Sequence, residues 1–253
     1  MTESPDVVVA RRGRLTVITL AREAKRNALG PTITAGLDAA LNDFEDDPDQ
    51  WCAVLTGGPR FFSAGADLAT GPGEPTERGG IVGIIERVRT KPLIAAVEGF
   101  AYGGGMELVL CCDLVVAGRS ARFGLPEVKR GLMPDFGGAF RVTRMLPPNV
   151  ARELLLTAKD LDAERAERLG FVNVLTDDGA ALDAAVALAE EVCANAPLGV
   201  QASLHLANTA VNGDESALWE LSHATHQRLL QTDDVREGVG AFFEKRDPTW
   251  TGH

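Results

Sequence analysis

The sequence predicts an α/β fold with a helical C-terminal region, on three observations. Short segments rich in β-branched residues alternate with amphipathic ones as far as residue 117. From Asn149 onward the pattern is almost wholly helical. Glycines gather at 57–58, 71–73, 79–83, 103–105 and 137–138, as turns that bring backbone close to something require. Strands alternating with helices predict crossover units and a mainly parallel sheet.

Residues 7–10 and 15–20 are β-branched and flank Arg11-Arg12-Gly13-Arg14, which predicts an opening hairpin. Over 31–47, Ile33, Leu37, Ala40, Leu41 and Phe44 recur at helical spacing, and Asp46-Asp47-Pro48 supplies a stop. Residues 51–56 form a short apolar strand ending in Gly57-Gly58-Pro59. The stretch 71–80, rich in glycine, proline and charge, predicts a loop, 81–89 a short helix and 92–97 another strand. After Gly103-Gly104-Gly105, residues 106–112 have helical character and 113–117 that of a strand. Helices are predicted over 149–158, 162–169, 180–195, 197–211, 214–231 and 233–243, interrupted by a strand at 171–175. Two units follow: an α/β core at 1–195 and a helical C-terminal oligomerisation region at 196–253.

Composition narrows the function. A net charge of −11 and a pI near 4.9 make the chain a poor partner for nucleic acid, whose binding rests on phosphate neutralisation. Aromatic residues at 6% offer little base-stacking surface. Cys52, Cys111, Cys112 and Cys193 lack metal-ligand spacing and sit among apolar neighbours, which points to reduced thiols and the cytoplasm. No apolar run approaches the roughly 20 residues of a membrane helix, and MTESPDVVVARRGR does not read as a secretory leader. Glu220, His223 and His226 share a helical face, more simply a solvated surface than a metal site. No metal, nicotinamide or flavin is implied.

Two junctions carry the chemistry. Phe61-Phe62-Ser63-Ala64-Gly65-Ala66-Asp67-Leu68 follows the strand at 51–56, and Glu98-Gly99-Phe100-Ala101-Tyr102-Gly103-Gly104-Gly105-Met106-Glu107 follows that at 92–97. Both place small residues where the chain leaves a sheet, the usual ligand edge of an α/β fold. At the second, a helix begins at the glycines, so free N–H groups face the ligand and suit a developing oxyanion. The spacing is neither a dinucleotide fingerprint nor a phosphate loop, and Gly-x-Ser-x-Gly is absent.

Together FFSAGADL (61–68), KPLIAAVEGFAYGGGMELVLCCDL (91–114), ARFGLPEVKRGLMPDFGG (121–138) and AFFEKRDPTW (241–250) closely resemble the crotonase superfamily of enoyl-CoA hydratases and isomerases. The resemblance implies a crotonase-like ββα-repeat core with a helical C-terminal region, and an acyl-CoA substrate rather than a bound cofactor. It implies that the N–H groups of Ala66 and Gly104 form an oxyanion hole. Ala64, Ala66, Asp67 and Leu68 would line the adenine and pantetheine path, largely through backbone groups. Lys25 and Arg26 would lie near the phosphates, and Phe242 and Lys245 at the adenine end, either of their own chain or of a neighbouring subunit. Glu107 and Glu127 match the two glutamates of hydratases. A homotrimer, often stacked into a hexamer, is likewise implied.

Asp135 departs from a plain hydratase, standing eight residues after Glu127 where dienoyl-CoA isomerases also place a carboxylate. Its other reading is a cap on a helix beginning at Phe136. GGGMELVL, LPEVKRGLMPD, RMLPP and EKRDPTW resemble the carnitinyl-CoA dehydratases within the superfamily, whose substrate carries a quaternary ammonium that Asp135 with Tyr102 or Phe136 would suit. The leading expectation is therefore a hydro-lyase acting on an α,β-unsaturated acyl-CoA. The alternatives are an enoyl-CoA or dienoyl-CoA isomerase, and a non-catalytic acyl-CoA-binding or RNA-associated protein.

Overall fold

The computed structural model describes residues 5–211 and 213–253. The reading of the N-terminus above rests partly on residues 1–4, which lie outside them. The first half runs β1 (Val7–Arg12), β2 (Leu15–Leu20), α1 (Pro31–Asp46), β3 (Cys52–Thr56), β4 (Leu93–Val97), β5 (Phe100–Tyr102), α2 (Gly104–Val109), β6 (Leu114–Gly118) and β7 (Arg122–Gly124). The second runs α3 (Gly138–Met145), α4 (Pro148–Thr157), β8 (Leu161–Asp162), α5 (Ala163–Arg168), β9 (Val174–Thr176), α6 (Ala181–Cys193), α7 (Pro197–Ala210), α8 (Glu215–Leu229) and α9 (Asp233–Glu244).

The main sheet has the order β1-β2-β3-β4-β6-β9. β1 and β2 form the predicted antiparallel hairpin, and every later pairing is parallel. Period-2 alternation divides the strands between two cores. Ile18, Leu20, Ala53, Leu55, Leu93, Ala95, Val97, Val115 and Ala117 face α1 and α2 in the larger one. Leu15, Val17, Cys52, Val54, Ile94, Ala96 and Val116 face Ala181, Ala185 and Ala189 of α6. Burial on both faces explains why β3 and β4 read as unbroken apolar runs.

α1 starts at Pro31, whose fixed φ and missing N–H suit a first helical position. Its end is closed by the buried Lys91, whose Nζ donates to the carbonyls of Phe44 and Asp47 at 2.8 and 2.7 Å. Arg89 pairs with Asp113 in two bonds of 2.7 and 2.9 Å, and Asp113 also accepts from the N–H of Leu93. That pair ties the entry of β4 to that of β6.

Three expectations are corrected, and one sheet lies outside them. Residues 81–89 form only a 3-10 turn at Ile81–Gly83, because Gly80, Val82 and Gly83 take positive φ and Gly83 packs its backbone on α1. The strand expected at 171–175 begins at Val174, since the N–H groups of Phe171 and Val172 donate to the carbonyl of Ala166 and close α5. A second sheet, β5-β7-β8, has strands of two or three residues, too short to show a period. The cap assigned to Asp135 is absent: α3 starts at Gly138 behind a left-handed Gly137, with no side-chain cap.

α7, α8 and α9 bury little of themselves, and Trp219, Phe242 and Phe243 are exposed. Among the described residues no helix is long and apolar enough to cross a membrane, and no group of three or more His, Cys, Asp or Glu is placed to hold a metal ion.

Candidate active site

The loops that leave the C-terminal ends of β3 and β4 meet over the sheet. The N–H of Leu29 donates to Gly65 O at 2.8 Å and that of Asp67 to Leu29 O at 2.9 Å. This parallel bridge uses the residues on either side of Ala66 and leaves the Ala66 N–H without a partner among the described residues. Ser63 bridges Ala101 in the same way, through Tyr102 N–H to Ser63 O at 3.0 Å. Asn27, fully buried, donates to the carbonyls of Gly57 and Phe62 and holds the first loop from beneath. Gly104 opens α2, so its N–H also lacks an intrahelical acceptor.

Ala66 and Gly104 both line a cleft of about 450 Å³. Glu107, on the first turn of α2, and Glu127, in the 3-10 turn after β7, reach the same cleft. Glu107 is 2% exposed, and Oε1 accepts from the Gly138 N–H at 2.8 Å. Desolvation pushes its carboxyl up to about 7, against the pull of the Gly138 amide, and the nearby Glu127 and Asp135 add to the rise. Burial likewise raises Glu127, with Asp135 adding to the rise and Arg130 opposing it. Glu127 Oε2 is buried without a hydrogen-bond partner. A cleft with two unpaired amide donors and two carboxyls held toward their neutral forms is equipped to stabilise an oxyanion and relay protons.

Of the residues singled out in the sequence, Arg26, Ala64, Ala66, Leu68, Gly104, Glu107, Glu127 and Asp135 line this cleft. Lys25 does not, although it stands beside Arg26 on the exposed turn. The Asp67 side chain turns away to Arg22 at 2.7 Å and to the N–H of Ala69. Phe242 and Lys245 lie at the end of α9, outside the cleft of their own chain. Phe100, Tyr102, Arg130, Leu132, Met133 and Phe136 also line the cleft. Of these, Phe100, Arg130, Leu132 and Met133 carry no spacing signal, because only the return of the 126–136 loop brings most of them to the cleft. Tyr102 stacks on Phe100 at 5.2 Å between centroids and donates to Asp160 at 2.7 Å.

Comparison with known proteins gives a consistent picture. Residues 11–253 match the family described as enoyl-CoA hydratase/isomerase. A carnitinyl-CoA dehydratase of Citrobacter koseri is 39% identical over 96% of this chain and 97% of its own. The crystal structure of an enoyl-CoA hydratase from Mycobacterium tuberculosis H37Rv superposes with a TM-score of 0.95, at 42% identity, over 99% of this chain and all of that one. That of a carnitinyl-CoA hydratase from Mycobacterium avium gives 0.79 at 40% identity, with 99% and 100% covered.

Proposed function

Because the chain belongs to the enoyl-CoA hydratase/isomerase family, we propose that it is a hydro-lyase that adds water to, or removes it from, an α,β-unsaturated acyl-CoA. The observation that carries this reading is the convergence of the Ala66 and Gly104 amides with Glu107 and Glu127 on one cleft. In the hydration direction the oxygen of water bonds to Cβ while the ionised member of the carboxyl pair takes its proton. The C=C electrons move toward Cα, and charge gathers on the thioester oxygen, where the two N–H groups donate. The protonated member then gives its proton to Cα. Burial raises both carboxyls, Glu107 to about 7, which suits the sharing of one proton between them. Isomerisation needs only a proton relocated between carbons, and the relatives named as dehydratases and hydratases do not favour it.

Arg26 and Arg130 put cationic side chains on the wall of an otherwise acidic chain, which supports the binding of coenzyme A phosphates there, with Lys25 beside them. No other cofactor enters this scheme. Phe242 and Lys245 fit the adenine end only if a neighbouring subunit supplies them, and the exposed apolar residues of α8 and α9 support a trimer or hexamer built through residues 196–253. A cytoplasmic setting accords with four free cysteines.

A finer reading concerns the acyl group. Asp135 is exposed and lines the cleft with no ion pair or hydrogen bond among the described residues, in a wall that also includes Phe136, Phe100 and Tyr102. An unpaired carboxylate with aromatic rings favours a cationic acyl group such as the quaternary ammonium of a carnitinyl thioester. The test is turnover of crotonyl-CoA and crotonobetainyl-CoA. A gain of water that Glu107→Gln abolishes supports the function, and comparable kcat/KM for both substrates contradicts the cationic preference.

A further inference from the structure

One residue outside the cleft holds the segment that forms part of its inner wall. Arg141, on α3, makes no carboxylate ion pair among the described residues. Its guanidinium instead donates to two main-chain carbonyls, Phe136 O at 3.1 Å and Ile85 O at 2.6 Å. Gly137 lies between, where a Cβ would stand 2.3 Å from the Arg141 Nη1, so the reach across depends on a bare backbone with φ of 90°. The segment held this way serves two parts of the site. The Phe136 ring packs on Gly104, where a Cβ would lie 3.2 Å from its edge. Two residues on, the Gly138 N–H donates to Glu107.

We propose that Arg141 is a positioning residue for this chemistry: its fork fixes the 134–138 segment against Ile85, so that Gly138 reaches Glu107 and Phe136 stays seated on Gly104. The inference rests on the hydratase reading. An arginine is suited to the task because its guanidinium fixes two donors in one rigid plane, whereas a lysine ammonium is a compact charge whose donors rotate. A fork bound to carbonyls keeps its charge with no acidic partner, so its geometric role is separable from an electrostatic one.

The pH consequence follows from the groups around Glu107. Glu127 and Asp135 face it from neighbouring loops, Cys111 lies further along its own chain segment, and the backbone of the held segment, Gly138 foremost and Phe136 after it, favours its ionised form. Releasing that segment removes the opposing pull and moves the titration upward.

The test compares Arg141→Met and Arg141→Lys with the parent protein by kcat and KM for hydration, and by 13C-carboxyl NMR of labelled glutamate, with Glu107→Gln to assign the signal. Arg141→Met is expected to lose about 10- to 100-fold in kcat with little change in KM. Its Glu107 titration moves above the parent value, Arg141→Lys recovers part of the rate, and guanidinium ion added to Arg141→Met raises it while urea at the same concentration does not. An unchanged Glu107 titration overturns the proposal, whether kcat is kept or lost together with thermal stability. The NMR readout needs no substrate, so a parent protein that hydrates nothing sinks the functional reading and leaves the positioning of Glu107 to be judged separately.

Discussion

Gly65 and Gly104 meet backbone to backbone: a Cβ on Gly65 would stand 3.1 Å from the Gly104 nitrogen and 2.7 Å from the Tyr102 carbonyl oxygen. This contact sets the spacing of the two loops that supply the amides. Gly65 also takes a φ of 94°, a conformation that side chains rarely adopt. The two requirements are independent, and both are violated by the smallest substitution.

Gly65→Ala is therefore expected to push the Ala66 and Gly104 amides out of register while the sheet stays intact. Loss of one oxyanion donor typically costs about 2.7–4 kcal/mol in the transition state, or roughly 10²–10³ in kcat. Steady-state kinetics should show the loss mainly in kcat. A variant with parental kcat would remove the two-amide geometry from the account.

Glu107 opposes folding as pH rises. Its folded pKa, about 7, lies above the ordinary 4.5, so between these values the folded state binds more protons than the unfolded one. Stability from this group is thus largest below about pH 4.5, declines as pH rises through about 7, and is level above that. Glu107→Gln removes the penalty and keeps an acceptor for Gly138. It should gain up to about 3 kcal/mol over the parent at pH 8 and little at pH 5. Urea unfolding at the two pH values measures the difference, and equal effects at both would show that burial does not govern this carboxyl.

The Arg89–Asp113 pair gives a contrasting case, in which charge is matched within the core. The two side chains are 10% and 12% exposed, and Arg89 also donates to the carbonyls of Lys91 and Cys111. Arg89→Met leaves Asp113 buried without its partner, a change that costs about 3–5 kcal/mol in comparable settings. The fall should appear in denaturant midpoints at neutral pH. If Arg89→Met with Asp113→Asn regains stability, the cost lies in the uncompensated carboxylate.

Substrate choice is a fourth test. Asp135→Asn should lower kcat/KM for a cationic enoyl-CoA about 10-fold or more and leave a neutral one within a factor of two or three. Equal losses would assign Asp135 to the chemistry common to both substrates.

The parallel sheet was legible because β3, β4 and β6 are buried on both faces, and a run such as Leu93–Val97 announces that without ambiguity. The helix after the glycine triplet and the inward face of Glu107 were legible for a similar local reason, since Gly104 and Glu107 lie one turn apart. Residues whose geometry is set by distant contacts were not. Of the two readings of Asp135, the cap fails because Gly137 takes the left-handed position and α3 starts at Gly138. The Asp67 carboxylate gave no sign of its partner, because Arg22 stands 45 residues earlier. The segment after Gly80 has helical composition, and its packing on α1 prevents a helix. Arg141 gave no signal, because both of its acceptors are main-chain atoms.

The central claim is that Glu107 and Glu127 act together on a water molecule beside the Ala66 and Gly104 amides. The most direct measurement is the product mass after incubation of crotonyl-CoA and crotonobetainyl-CoA with the parent protein, Glu107→Gln and Glu127→Gln. The parent protein is expected to add one water, at a rate that falls roughly 10²–10⁴-fold when either carboxyl is replaced. Hydration that survives either substitution at the parental rate, or an unchanged mass with both substrates, would contradict it.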